Sequence, residues 1–247
     1  MIERLNQFKE LKLKPKEELI LKFGAEIVGD RQLLESIAEL YAQVFAGPPW
    51  NEFSRCPGCG RFYDQNNPIG SSSSCCGQQL VEAYPLEETI NYIETELGKP
   101  NAVLVYLVNP NGEIIGFAWG YQTTPQDFVD NKYQTDQMRQ KVINSLGLSP
   151  QSLIFYFSEC GIDPEYRRKG YANKLTRVMV DAAQSSGLPL LMRTNSQSPM
   201  VAVTQRFGMQ QCFGPEVIYQ DGKIITTENA VNGLDNENLD RVLFLKI

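Results

Sequence analysis

The sequence predicts an α/β (α+β) fold, a mixed, central, twisted sheet flanked by helices with a small Cys-rich insertion. Three observations predict it. A strand, turn, helix and strand over residues 152–194 require a parallel pair joined by a helical crossover. Two apolar runs flank the turn-rich Asn109-Pro110-Asn111-Gly112, the pattern of an antiparallel hairpin. Between residues 50 and 85 the chain loses its long apolar periodicity and fills with Gly, Ser, Asn and Cys. The reading is therefore one domain over 1–247 that contains a 50–85 insertion.

The elements follow in order. Leu5–Leu13 is a short helical candidate, and a strand lies within Glu18–Val28. Asp30 can accept from the free N–H groups one turn on, so it caps a helix over Arg31–Phe45. Apolar Leu34, Ile37, Ala38, Tyr41 and Val44 form that helix's buried stripe, and Gly47-Pro48-Pro49 stops it. After the insertion come a helix over Leu86–Leu97 and strands over Val103–Val108 and Glu113–Thr123. Pro125–Leu146 reads as one helix or two short ones, with Phe128, Val129 and Tyr133 as helix core. Ser152–Ile162 is the next strand. A long amphipathic helix with Ala172, Leu175, Met179, Ala182 and Ala183 on one face follows it, and Gly187-Leu188-Pro189 ends it. A strand at Leu188–Thr194, a helix at Pro199–Phe207 and strands at Met209–Tyr219, Lys223–Thr227 and Arg241–Ile247 complete the order.

Composition narrows the class. Apolar residues make up 42% and charged residues 21%, which suits a globular chain with a sizeable core. The net charge of −6 argues against nucleic acid as the main partner, because phosphate binding needs a basic face. No run approaches the roughly 18 apolar residues of a membrane span. The amino-terminal stretch is a charged mixture rather than a secretory signal, so the expectation is a cytoplasmic protein without membrane contact.

The segment from Phe157 to Gly187 carries the chemistry. Asp163-Pro164 ends the strand, and Arg167-Arg168-Lys169-Gly170-Tyr171-Ala172 opens the long helix. A helix start presents unpaired N–H groups and a positive dipole end, and it normally favours acids. Three cations before Gly170 are locally unfavourable unless an anion is expected there, and a diphosphate satisfies both features. Ile162-Asp163-Pro164-Glu165-Tyr166 followed by Arg167, Gly170 and Ala172 resembles the acetyl-coenzyme A signature of the GNAT superfamily of N-acetyltransferases. The predicted order of elements fits that fold over most of residues 17–247, apart from the insertion and an extended linker between the third and fourth main strands.

The resemblance implies acetyl-CoA as co-substrate, held by Arg167, Arg168, Lys169, Gly170, Tyr171 and Ala172. It also implies that backbone groups of Cys160 and Ile162 pair with the pantetheine arm, and Gly161 between them suits a bulge. Free N–H groups there can polarise the thioester carbonyl. Glu159 stands in an apolar strand, where a carboxylate is expensive without a role or partner. It is the candidate to take the proton of an amine acceptor or bind substrate, the alternative being a structural salt bridge at the sheet rim. Strand alternation groups Glu159 with Phe155 and Phe157 rather than with Tyr156, the second candidate. In relatives a Tyr near the end of the fourth helix is proposed to protonate the leaving thiolate. Thr204 stands at that position here, and Thr is a poor acid. Asn195 resembles the polar residue that contacts the cofactor in relatives, although Gln197 fits the spacing better.

The insertion contains Cys56-Pro57-Gly58-Cys59-Gly60 and, further on, Cys75-Cys76-Gly77. The first is a thiolate knuckle; a regular second one would have Cys where Ser73 stands. The spacing favours a structural zinc held by Cys56, Cys59, Cys75 and Cys76, or by three of them with a distant ligand that cannot be His, since the chain has none. Free thiols or a disulfide are the alternative. Cys160 and Cys212 read as apolar fillers. The insertion lies between the first two main helices, a region that borders the acceptor groove in relatives. Two functions follow: transfer of acetyl from acetyl-CoA to a primary amine by direct attack in a ternary complex, or an acyl-CoA-binding sensor whose knuckle contacts a partner. The acceptor is unnamed, and the reading leaves room for a homodimer.

Overall fold

The computed structural model describes residues 17–220 apart from 28, together with 223–226 and 240–247. The helix expected at Leu5–Leu13 lies outside these residues. β1 (Glu18–Phe23) runs into a single 3-10 turn, and α1 (Arg31–Ala46) follows. Asp30 caps α1 as expected, its carboxylate accepting from the Leu33 N–H at 3.2 Å. Three two-residue strands form a small separate sheet: β2 (Ser54–Arg55), β3 (Phe62–Tyr63) and β4 (Val81–Glu82), in the order β3-β2-β4. Then come α2 (Leu86–Leu97), β5 (Val103–Val108) and β6 (Ile114–Thr123).

The ambiguous stretch after β6 is two helices, α3 (Pro125–Lys132) and α4 (Asp136–Leu146). Tyr133 leaves helical geometry, and the Thr135 hydroxyl accepts from the Met138 N–H to start the second helix. β7 (Ile154–Ile162), α5 (Tyr171–Ser186), β8 (Leu190–Asn195) and α6 (Met200–Arg206) follow. The chain continues with β9 (Gln210–Phe213), β10 (Val217–Gln220), β11 (Lys223–Thr226) and β12 (Arg241–Lys246). The strand expected over Met209–Tyr219 is broken in two. At Gly214, φ is +99° and a Cβ would stand 2.3 Å from the Arg241 carbonyl oxygen, so only a glycine lets the chain turn there. β9 joins the main sheet, and β10 pairs with β11.

The main sheet has seven strands in the order β1-β5-β6-β7-β8-β12-β9. Every neighbouring pair is antiparallel except β7 and β8, the parallel pair that the helical crossover of α5 requires. One face buries Leu34, Ile37, Tyr41, Ile90, Phe117 and Trp119 beneath α1 and α2. The other buries Phe155, Phe157, Leu175, Met179 and Phe244 with α5. Phe128, Val129 and Tyr133 belong to the first of these cores.

Two irregularities of β7 create the functional geometry. The parallel ladder with β8 runs only from Phe155–Leu190 to Phe157–Met192, after which the strands separate. On the opposite side, Gly120 pairs with Phe157 and Trp119 with Glu159, leaving Ser158 as an extra residue, a β-bulge. The bulge is at Ser158 and not at Gly161, which pairs regularly with Phe117. It also corrects the alternation argument. Phe155 and Phe157 face the α5 core, whereas the extra residue swings Glu159 to the side of Tyr156.

Gly120 sits opposite the bulge, and a Cβ there would meet the Phe155 ring and the Tyr156 carbonyl oxygen, each at 2.7 Å. Gly120→Val is expected to lower unfolding stability by about 1–3 kcal/mol through overpacking. An unchanged urea midpoint would show that the bulge yields freely.

Candidate active site

The separation of β7 from β8 opens a cleft on one side of the sheet and a cavity on the other. The cleft has a volume of about 630 Å³ and is lined by Cys160, Ile162, Arg168, Gly170, Tyr171, Ala172 and residues of α6, among others. Its floor follows from the backbone. The Asp163 N–H donates to the Ile115 carbonyl in β6 at 3.0 Å. In an antiparallel ladder, alternate residues direct their backbone groups to the same neighbour. Gly161 therefore also addresses β6, and Cys160 and Ile162 address the gap left by β8.

Asp163 and Pro164 turn the chain out of β7, the Asp163 carboxylate accepting from the Glu165 N–H at 2.8 Å. Arg168 at φ +64° and Gly170 at φ +83° then bring it to the start of α5, where no side chain caps the helix. The first helical bond runs from the Lys174 N–H to the Gly170 carbonyl at 3.3 Å. The N–H groups of Tyr171, Ala172 and Asn173 consequently lack intrahelical acceptors and can receive an anion. These residues all line the cleft.

The three cations ahead of Gly170 have different surroundings. Arg167 is a clamp: its guanidinium donates to the carbonyls of Ile162 at 3.2 Å, Pro48 at 3.3 Å and Val44 at 3.5 Å. It ties the end of β7 to the turn after α1. Arg168 lines the cleft, and the Lys169 ammonium lies 4.4 Å from the centre of the Tyr166 ring. Asn195 and Thr204 do not line it. The Asn195 amide donates to Asp240 at 2.6 Å, and its oxygen accepts from the Gln197 N–H. Thr204 is fully buried, its hydroxyl donated to the Val201 carbonyl at 2.8 Å.

The cavity of about 390 Å³ holds Glu159 and Tyr156 together. Glu159 accepts a hydrogen bond from the Tyr92 hydroxyl at 2.9 Å. Burial pushes its carboxyl up to about 7, against the opposing pull of Lys132. Burial also holds the phenols of Tyr92 and Tyr156 well above their usual value, so both stay protonated donors. Close by, buried Glu96 accepts from the Ser158 hydroxyl at 2.6 Å and from the Tyr121 hydroxyl at 3.0 Å. Desolvation opposes its charge, yet Lys132, Lys99 and Ser158 hold its carboxyl below the usual range. Two nearby carboxyl groups are thus pushed in opposite directions, Glu96 toward permanent ionisation and Glu159 toward titration near neutrality. Trp50 lines both the cleft and the cavity, with the Arg241 guanidinium 4.7 Å from its ring.

The sequence reading missed Tyr92, Glu96, Lys132, Arg193 and the Glu52–Tyr84–Arg241 chain. A signal for one of them was present: Glu96 is a charged residue on the buried face of α2, next to Ile93 and Leu97. Four cysteines stand together on the loops of the small sheet's segment. Cys56 and Cys76 have sulfurs 3.1 Å apart, Cys59 and Cys75 3.0 Å, and Cys75 and Cys76 3.7 Å. All four lie within 4.8 Å of one another. The loops match: the Gly60 N–H donates to the Cys56 carbonyl and the Gly77 N–H to that of Ser73, both glycines at φ +74°. Ser73 therefore occupies the backbone place of a knuckle's first ligand, and Cys75 brings the fourth sulfur from an adjoining position.

With this geometry in view, the comparisons define the class. The model of the acetyltransferase (GNAT) family matches residues 68–209, more than half of the chain. The chain belongs to that family. Its fold is shared with arylalkylamine N-acetyltransferase 2 of Aedes aegypti, at 14% identity, 93% and 98% coverage of the two chains and a TM-score of 0.50. Drosophila melanogaster polyamine N-acetyltransferase aligns at 10% identity, coverage of 93% and 99%, and a TM-score of 0.49. A GNAT superfamily phosphinothricin acetyltransferase of Sinorhizobium meliloti, in complex with acetyl-CoA, aligns at 12% identity, coverage of 93% and 87%, and a TM-score of 0.47. No curated protein matches the chain. No helix among the described residues is long and apolar enough to cross a membrane.

The Glu159 shift has a consequence for stability. Its folded value of about 7 exceeds the ordinary 4.5, so the unfolded chain releases this proton first as pH rises. The stability it contributes is full below about 4.5 and is lost as pH passes through about 7. The melting-temperature advantage of the parent chain over Glu159→Gln should therefore shrink between about pH 4.5 and pH 8. Parallel profiles would place the Glu159 carboxyl in water.

Proposed function

We propose that the chain transfers acetyl from acetyl-CoA to a primary amine by direct attack in a ternary complex. The observation that carries this reading is the pair of chambers beside the bulge of β7, the uncapped start of α5 on one and Glu159 on the other. Gly170, Tyr171 and Ala172 receive the diphosphate on their backbone, with Arg168 and Lys169 adding positive charge. The outward groups of Cys160 and Ile162 pair with the pantetheine amides as a further strand would. An N–H of this edge polarises the thioester carbonyl and stabilises the oxyanion that forms on it.

A primary amine with a pKa of about 10.4 is protonated at neutral pH and has no lone pair to offer. Glu159, directly or through water, takes its proton, and a carboxyl near 7 is matched to that task. The nitrogen lone pair then attacks the carbonyl carbon. The C–N bond forms as the C–S bond breaks, coenzyme A leaves as its thiolate, and the proton that the new amide nitrogen must still shed neutralises that thiolate. A thiol with a pKa near 8.5 is a good enough leaving group to depart without a dedicated acid. That accommodates Thr204, whose proton is committed to Val201. Direct attack is favoured over an acetyl-cysteine route because burial and the neighbouring Glu159 push the Cys160 thiol up to about 12.

The four-cysteine cluster is read as a structural zinc site. Its donor set suits the ion: tetrahedral Zn–S bonds of about 2.3 Å place sulfurs about 3.8 Å apart, and here three sulfur pairs stand 3.0–3.7 Å apart with all four sulfurs within 4.8 Å of one another. A second reading, an acyl-CoA sensor without turnover, is favoured by Thr204 alone. The assay that separates the two is coenzyme A release over a panel of diamines, arylalkylamines, amino acids and lysine peptides. The first reading expects one class to turn over, with Glu159→Gln lowering kcat/KM by about 10²–10⁴ and abolishing the pH step near 7. Acetyl-CoA binding without turnover across the panel would establish the sensor.

A further inference from the structure

The loop joining β2 to β3 carries Cys56 and Cys59 of the sulfur cluster, and the strand pair flanking that loop, Arg55 and Phe62, lines the 390 Å³ cavity. Arg55, adjacent to Cys56, lines the cavity and forms an ion pair with Glu88 of α2. Phe62, three residues past Cys59, stacks on Tyr84 with ring centroids 5.7 Å apart. Tyr84 follows β4 and donates to Glu52, whose other oxygen accepts from Arg241 at 3.3 Å. All of these side chains line the cavity.

Strands of two residues cannot hold such a wall by themselves, because a ladder this short is marginal in water. What ties the two loops of the segment together beside this wall is the cluster, entered through Cys56, which is fully buried. The cleft on the other side of β7 draws its lining from α1, β7, the loop between β7 and α5, α5, α6 with the turn before it, and Pro49, Trp50 and Ile224, and takes no residue from 51–97.

We infer that a zinc ion on Cys56, Cys59, Cys75 and Cys76 locks the acceptor-side wall, so that metal loading sets the affinity for the amine and leaves acetyl-CoA binding alone. This rests on the acetyl-transfer and zinc readings above and adds a division of labour between them. The metal takes no part in bond making. It fixes Arg55, Phe62 and Tyr84, which enclose the acceptor next to Glu159.

The test compares the full chain as isolated, after chelator stripping, and after reloading with Zn2+ or Co2+. Metal content, thiolate-to-cobalt absorption, hydrogen exchange and acetyl-CoA calorimetry are read on each. One bound ion with thiolate absorption is expected, and stripping should raise exchange at residues 52–63 and 81–92 while β5 to β8 and α5 keep their protection. The acetyl-CoA Kd should hold within about twofold, and KM for the best amine of the panel should rise about tenfold with kcat little changed, the pattern of lost uniform binding. Phe62→Ala, which leaves every cysteine in place, should retain the ion and raise KM in the same sense. Failure to bind Zn2+ or Co2+ through thiolates would overturn the metal site and the lock with it. A bound ion whose removal leaves residues 81–92 equally protected would overturn the lock and spare the metal site. Loss of acetyl-CoA affinity on stripping would overturn the division of labour, whereas an intact loaded chain that never binds acetyl-CoA would refute the transferase reading itself.

Discussion

The site depends on one constraint: β7 cannot stay paired to β8 beyond Phe157. An extra residue in an antiparallel strand increases its twist and bends it, and Ser158 is that residue. The chain pairs with β6 on one side only, so the backbone of Cys160 and Ile162 is left facing a gap. The bend is stabilised from several directions. Gly120 offers the close approach, the Ser158 hydroxyl is held by Glu96, and Arg167 ties the carbonyl of Ile162 to the turn after α1. A sheet that was regular at this point would have neither chamber.

The same bulge distributes the chemistry. By reversing the alternation of β7 after Phe157, it sends Glu159 toward α2 while Cys160 and Ile162 face the cleft. Glu159 then sits among groups that act on its charge in opposite senses: burial and the charge of Glu96 disfavour ionisation, and Lys132 with the Tyr92 hydroxyl favours it. The balance lies near neutrality, where a base for amine deprotonation is most useful. Glu96 is kept charged by its own contacts, so of these two neighbouring carboxyls it is Glu159 that titrates near neutrality.

Much of this was legible in the sequence wherever the determinant is local. Asp30 before an apolar stripe, the turn at Asn109–Gly112 and the run from Arg167 to Ala172 each specify their structure from neighbouring residues, and the main sheet confirms the mixed pairing they imply. The four cysteines were visible as a set, although the equivalence of the Ser73 and Cys56 loops appears only in the backbone. What was not legible arises from long-range register. Alternation counted Glu159 onto the wrong face because a bulge displaces every later residue, and no neighbour of Ser158 announces one. The partners of Glu159 come from α2 and α3, far off in the chain, and the break of the strand at Gly214 is forced by a contact with Arg241.

The central claim is that the opened edge of β7 and the start of α5 form one binding site for acetyl-CoA. Calorimetric titration of the purified chain with acetyl-CoA tests it most directly, alongside the double variant Arg168→Glu/Gly170→Asp. The account predicts micromolar binding by the parent chain and its loss in a variant that remains folded. A parent chain that does not bind, or a folded variant that binds equally well, would contradict it.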